Sequence, residues 1–147
     1  MIKKDNLNAT GSLTIAIKDA NGNVKQELTV PNLVVDTGLD FIASRMNGTS
    51  DAVMSHMAIG TGSTAVAAGD TALETQSAIG ALTSATVTDN AIAFVATFAA
   101  GTGTGALTEA GIFNASSSGT MLCRTVFSVI NKGASDSMTV TWTVTIS

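Results

Sequence analysis

Tyrosine is absent from this 147-residue chain, and histidine, cysteine, proline and tryptophan each occur once. One cysteine, Cys123, excludes an internal disulfide and is compatible with folding in a reducing cytoplasm. One histidine, His56, excludes the ordinary His- and Cys-rich metal centres. Asp51 and Asp70 lie near His56 in the chain, but one imidazole with unplaced carboxylates is a weak donor set. No Gly-x-Ser-x-Gly nucleophile turn accompanies the many serines. The expectation is a non-enzyme, with no catalytic, cofactor-binding or metal-binding residues and no cofactor.

Charge is also scarce. Seven basic and eleven acidic residues make up 12% of the chain, against about 25% in ordinary soluble domains. No Lys or Arg occurs between Arg45 and Arg124, while Asp51, Asp70, Glu74, Asp89 and Glu109 fall in that stretch. With a net charge of −4 there is no basic footprint, so nucleic acid is not an expected partner. The most apolar run, residues 91–100, is about half the ~20 residues that a spanning helix needs. The opening MIKKDNLNATGS has charge but no apolar core, which is not the pattern of a secretory signal, and no membrane partner is expected. A surface this poor in charge is cheap to desolvate. It suits either a Thr-rich monomer or, the reading preferred here, a subunit largely covered by others.

The chain is rich in short alternating segments. Residues 12–18 alternate Leu13, Ile15 and Ile17 with Thr14, Ala16 and Lys18, the period of a half-buried strand. An Asn21-Gly22 turn leads to residues 24–30, which place Val24, Leu28 and Val30 on one face before Pro31 marks a strand end or sheet edge. Asp36 or Thr37 is placed to cap a helix near residues 37–46. Its apolar stripe reads Leu39, Ile42, Ala43 and Met46, and Asn47-Gly48 ends it. Residues 55–59 form a short strand, followed by a long small-residue loop. Residues 82–88 and 91–98 pair across Asp89-Asn90, and residues 107–113 pair with 120–130. The last strand alternates Met138, Val140, Trp142, Val144 and Ile146 with Ser137 and four threonines. The expected fold is mainly β, an antiparallel β-sandwich or jelly-roll-like single domain over residues 11–147, with one short helix near 37–46. Residues 1–10, with Lys3 and Lys4, form an expected flexible N-terminal arm that orders on a neighbour.

Three other features invite a chemical reading. Gly101, Gly103 and Gly105 have the spacing of a phosphate loop, but a strand follows and no Lys does, so turns are expected. Asn8, Asn47 and Asn114 begin glycosylation sequons that read as chance matches in a Thr- and Ser-rich chain. Glu109 sits among apolar neighbours. A structural role is expected for it, accepting backbone N–H groups at a sheet corner or pairing with Arg124 across the hairpin. Cys123 reads as a small buried hydrophobe.

Three stretches carry a family resemblance. The first is Leu33-Val34-Val35-Asp36-Thr37-Gly38 running into Phe41-Ile42-Ala43-Ser44-Arg45-Met46. The second is Met57-Ala58-Ile59-Gly60-Thr61-Gly62, then Ala68-Gly69-Asp70-Thr71-Ala72-Leu73-Glu74. The third is Glu109-Ala110-Gly111-Ile112-Phe113-Asn114, then Met121-Leu122-Cys123-Arg124-Thr125-Val126-Phe127, Asn131-Lys132-Gly133 and the terminal Thr139-Val140-Thr141-Trp142-Thr143. In this order they resemble small structural proteins of tailed bacteriophages, described as virion structural or tail-fibre-like, over nearly all of the chain after residue 30. The resemblance implies assembly contacts and brings no catalytic residue onto this sequence. A compact domain without a shaft repeat fits a capsid decoration (cement) protein that bridges and stabilises major capsid subunits. Its expected partners are the major capsid protein and copies of itself, as a homodimer or homotrimer, in a virion assembled in the host bacterial cytoplasm. The alternative is a tail component (fibre, baseplate or fibre-attachment module) with tail proteins as partners. A carbohydrate-binding β-sandwich module is a second alternative, weakened by the absence of Tyr and by a single Trp that faces the core side of its strand.

Overall fold

The computed structural model describes residues 7–48 and 51–147. Ten strands and one helix follow in chain order: β1 Ala9–Lys18, β2 Val24–Pro31, β3 Leu33–Val34, α1 Asp36–Arg45, β4 His56–Gly60, β5 Gln76–Ala81, β6 Ser84–Thr88, β7 Ala91–Phe98, β8 Gly105–Phe113, β9 Met121–Lys132 and β10 Ser137–Ile146. They form two five-stranded sheets, ordered β2-β1-β10-β7-β6 and β3-β9-β8-β4-β5. Every pairing is antiparallel. The fold is a mainly β sandwich with one short helix, as the alternation implies.

The core follows from the register. In the first sheet Trp142 lies between Leu13 on β1 and Phe94 on β7, and Val140 lies between Ile15 and Ala96. A row of large apolar groups thus lies beside a row of smaller ones, and all six are buried. Trp142 is fully enclosed. Met57, Ile59, Leu107 and Ile112 of the second sheet close the core from the other side. That second sheet is buried on both faces. A smaller cluster of Val35, Ala58, Leu73, Phe113 and Met121 covers its outer face, beneath the start of α1 and the loop of residues 61–75.

Several local expectations are corrected. α1 spans the anticipated residues, yet neither Asp36 nor Thr37 caps it. The N-cap is Val35, with no side-chain cap hydrogen bond, and Thr37 Oγ1 donates to the Met121 carbonyl instead. The expected stripe is also displaced. Leu39, Ala43 and Met46 are exposed, Met46 at 84%, whereas Gly38 is buried and Phe41 and Ile42 pack on the core. Gly38 sets this rotation, because a Cβ there would collide with the Leu122 carbonyl; only glycine lets the helix lie this close to β9. Val24 does not share a face with Leu28 and Val30. The register shifts between Ile17 and Lys18, which face Gln26 and Val24, so the bulge at Lys25 reverses the alternation. Residues 82 and 83 are outside the strand expected to begin at 82. They carry the chain from β5 in one sheet to β6 in the other. Strand β5 itself escaped the sequence reading. The first six residues of the expected N-terminal arm lie outside the described residues. Ala9 and Thr10 belong to β1, paired with Ile146 and Thr145.

Candidate functional site

Among the groups singled out from the sequence, Glu109 and Arg124 converge. Glu109 on β8 and Arg124 on the neighbouring β9 are diagonal partners, since Gly111 faces Arg124 and Val126 faces Glu109. Both side chains are buried, with Glu109 at 0% and Arg124 at 2% exposure. Each alternative considered for Glu109 turns out to hold at once. Its Oε1 accepts from the backbone N–H groups of Gly62 and Thr75 at 3.0 and 2.7 Å. Its Oε2 accepts from the N–H of Glu74 at 3.0 Å and from Arg124 Nε and Nη2 at 3.2 and 2.9 Å.

The guanidinium extends the network. Arg124 Nη1 donates to Asp70 Oδ2 at 2.9 Å and Nη2 to the Thr64 carbonyl at 3.1 Å. Asp70 Oδ2 also accepts from the Ala67 N–H, and Glu74 Oε2 accepts from the Thr64 N–H. Thr108 Oγ1 donates to the Gly62 carbonyl, and the Asp36 N–H donates to the Ala68 carbonyl. The loop of residues 61–75 is therefore held at both ends and in the middle. Gly62 is needed for this closeness, because a Cβ there would stand 2.6 Å from Glu109 Oε1.

Electrostatics fix what this cluster can do. Burial alone would push the Glu109 carboxyl up. The N–H of Thr75, the Arg124 guanidinium and the N–H groups of Glu74 and Gly62 outweigh it and hold the group below the usual carboxylate range. Burial alone would lower Arg124, and the Glu109 and Asp70 carboxylates outweigh it, so the guanidinium is raised. A carboxylate held below its usual range, enclosed and already accepting from five donor atoms is a poor proton acceptor near neutral pH. Its chemistry is positional: it anchors the backbone of a long loop.

Asp70 joins this anchor rather than a metal set with His56 and Asp51. His56 Nδ1 lies 2.8 Å from Ser55 Oγ, a pairing of sequence neighbours. Among the described residues no three His, Cys, Asp or Glu side chains gather to hold a metal ion. Gly101 and Gly103 adopt the positive φ of turns, 84° and 65°, as expected, while Gly105, at φ 142°, already opens β8 opposite Lys132. Cys123 is buried, and burial pushes its thiol up. A second ion pair, with Asp136 buried and Lys25 half exposed, has no signal in the sequence. Asp136 accepts from Lys25 Nζ and from the Gly133 N–H, and both hold its carboxyl low. Nearby Lys132 donates to the Ala99 carbonyl and is lowered by burial.

One surface feature also went unread. An apolar groove of about 510 Å³ opens between α1 and the β6–β7 hairpin, walled by Phe41, Ile42, Val87, Ile92, Phe94 and Ile146. No contiguous sequence signal marks it, because its walls come from segments far apart in the chain. Comparison with family models, curated proteins and solved structures finds no match to this chain.

Proposed function

We propose that the protein is a non-enzymatic structural subunit of a bacteriophage virion, a decoration protein seated on the capsid shell and bridging major capsid subunits. The observation that carries this reading is the Glu109–Arg124–Asp70 anchor, whose ion pairs hold residues 61–75 in one conformation. Residues 63–68 of that loop present a small, neutral surface: Ser63, Thr64, Ala65, Ala67 and Ala68 are exposed, and the exposed charge of the loop, Glu74, lies near its far end. A fixed loop loses little conformational entropy when a partner covers it, and small uncharged side chains are cheap to desolvate. Both properties suit a contact repeated over a lattice, where modest single contacts are multiplied.

The motif residues of the phage resemblance support the same reading. Gly62, Asp70, Glu74, Glu109 and Arg124 are the residues that the anchor joins. Loop architecture gives these residues a reason to occur together. Imaging of the virion tests the proposal. Density for this chain on the head lattice, at a fixed ratio to the major capsid subunit, is the expected result. Density confined to the tail over a bare head surface would reject decoration in favour of a tail component.

A further inference from the structure

Strand β6 forms one edge of the first sheet, and it is an edge without protection. All five residues, Ser84, Ala85, Thr86, Val87 and Thr88, are exposed, and Val87 reaches 68%. Residues 75–88 contain no charged side chain and no proline. The opposite edge of the same sheet, β2, carries Lys25, Glu27, a bulge and a terminal Pro31, the usual devices that stop a strand from pairing further. An edge strand turns every second N–H and C=O away from its own sheet, so β6 offers an unfilled ladder.

From these features we infer that β6 pairs antiparallel with β6 of a second copy, about a two-fold axis at Thr86, joining two five-stranded sheets into one. The occupant follows from the strand's own pattern. Ser-Ala-Thr-Val-Thr reads the same in chemical class from either end: hydroxyl, apolar, hydroxyl, apolar, hydroxyl. An axis through Thr86 sets Ala85 opposite the partner's Val87, Thr86 opposite itself and Ser84 opposite the partner's Thr88. Apolar thus meets apolar on one face, and hydroxyl meets hydroxyl on the other. No like charges are opposed on the strand itself, and Asp89 stands in the hairpin turn, so the two copies of it fall at opposite ends.

The apolar face is also the groove face. Ala85 and Val87 line the groove together with Ile92 and Phe94, their register partners on β7. A second β6 alongside would continue that wall with its own Ala85 and Val87. It would cover the side of Val87 now open to water and add apolar burial to the backbone pairing. This deepens the assembly reading by naming the surface between copies, and rests on it. Its test uses the isolated protein, so its failure removes this interface alone, whereas the place in the virion is read from imaging.

Two substitutions at the axis test it, with β2 as the control edge. Thr86→Lys places two ammonium groups face to face and should weaken wild-type dimerisation at least about tenfold in sedimentation analysis. Thr86→Cys brings two thiols to the ~4.5–5.5 Å Cβ separation of directly opposed strand residues, which a small shift of the exposed edge closes to the ~3.5–4.5 Å of a disulfide. Mild oxidation should give a covalent dimer on a non-reducing gel, and Thr29→Cys on exposed β2 should give none. The natural Cys123 is buried and does not interfere. An unchanged dimer in Thr86→Lys, a monomeric wild type whose Thr86→Cys form fails to cross-link, or equal cross-linking from Thr29→Cys overturns the inference.

Discussion

Residues 61–75 and residues 76–88 follow one another in the chain and are made of much the same material. Thr, Ser, Ala and Gly dominate both, and neither contains a basic residue. Their fates differ because of what lies beneath. The first has no regular strand pairing, yet its N–H groups at Gly62, Glu74 and Thr75 converge on Glu109, and Arg124 ties in Thr64 and Asp70. The second is paired on one side only, β5 against β4 and β6 against β7, with its outer side open. A small-residue segment is held in place where a buried ion pair grips its backbone, and is left as an open sheet edge where nothing does. Composition alone does not separate the two.

Removing the anchor should have the largest effect. Glu109→Gln leaves the guanidinium of Arg124 without its enclosed carboxylate, and breaking a buried pair by deleting one partner costs about 3–5 kcal/mol. Chemical denaturation should show that loss, and limited proteolysis should nick residues 61–75 while sparing 76–88. The acid profile sharpens the test. Glu109 is held below its ordinary value of 4.5, so its contribution is complete above that pH and is lost as the pH falls through the lower folded value. Wild-type stability should therefore fall as the medium is acidified below about 4.5, and the part due to Glu109 should vanish in Glu109→Gln. An unaltered acid slope in the variant would mean that the loop is held by something else.

Gly62→Ala probes the same anchor with a smaller change. The added methyl would meet Glu109 Oε1 at 2.6 Å and the Glu74 Cβ at 2.5 Å, both held by the network, so relief must come from the loop backbone. Overpacking of this kind costs about 1–3 kcal/mol. The same methyl at Gly69, where nothing lies within 4 Å, should cost far less. Equal melting shifts for the two variants would show that residues 61–75 are not held at Gly62.

The sequence made the strands legible wherever one face meets the core and the other meets water. β1, β7 and β10 show this, with Leu13, Phe94 and Trp142 all on the inward phase. It was less informative for β4, where Met57, Ala58, Ile59 and Gly60 are all buried and no alternation survives. It failed for β5, whose small residues carry little hydrophobic signal. The helix stripe was misplaced because Gly38, invisible to a hydrophobicity count, is the residue that approaches β9. For the anchor, the pairing of Glu109 with Arg124 was readable from hairpin spacing. The role of Asp70 and the donors at Gly62, Glu74 and Thr75 were not, since backbone N–H groups leave no mark on side-chain identity. The bare edge at β6 was present as an absence of charge, but sheet order was needed to show that it is an edge.

The smallest effect is expected where the two edges of the first sheet are compared directly. Thr86→Lys on β6 and Thr29→Lys on β2 both alter exposed side chains, and such substitutions usually change monomer stability by no more than about 0.5 kcal/mol. Measured on dilute protein, the two variants and the wild type should unfold within that margin. Concentration should separate them. If β6 pairs with its copy, dimerisation stabilises the folded state by mass action, and the wild-type melting temperature rises with protein concentration. Thr29→Lys should retain that rise, because β2 already carries Lys25 and Glu27 and takes no part in the pairing. Thr86→Lys should show that rise only at protein concentrations about tenfold or more higher than the wild type needs. A concentration-dependent melt that survives in Thr86→Lys and disappears in Thr29→Lys would reverse the assignment of the two edges. The blunted strand would then be the adhesive one, and charge poverty would no longer identify the surface through which copies of this chain meet.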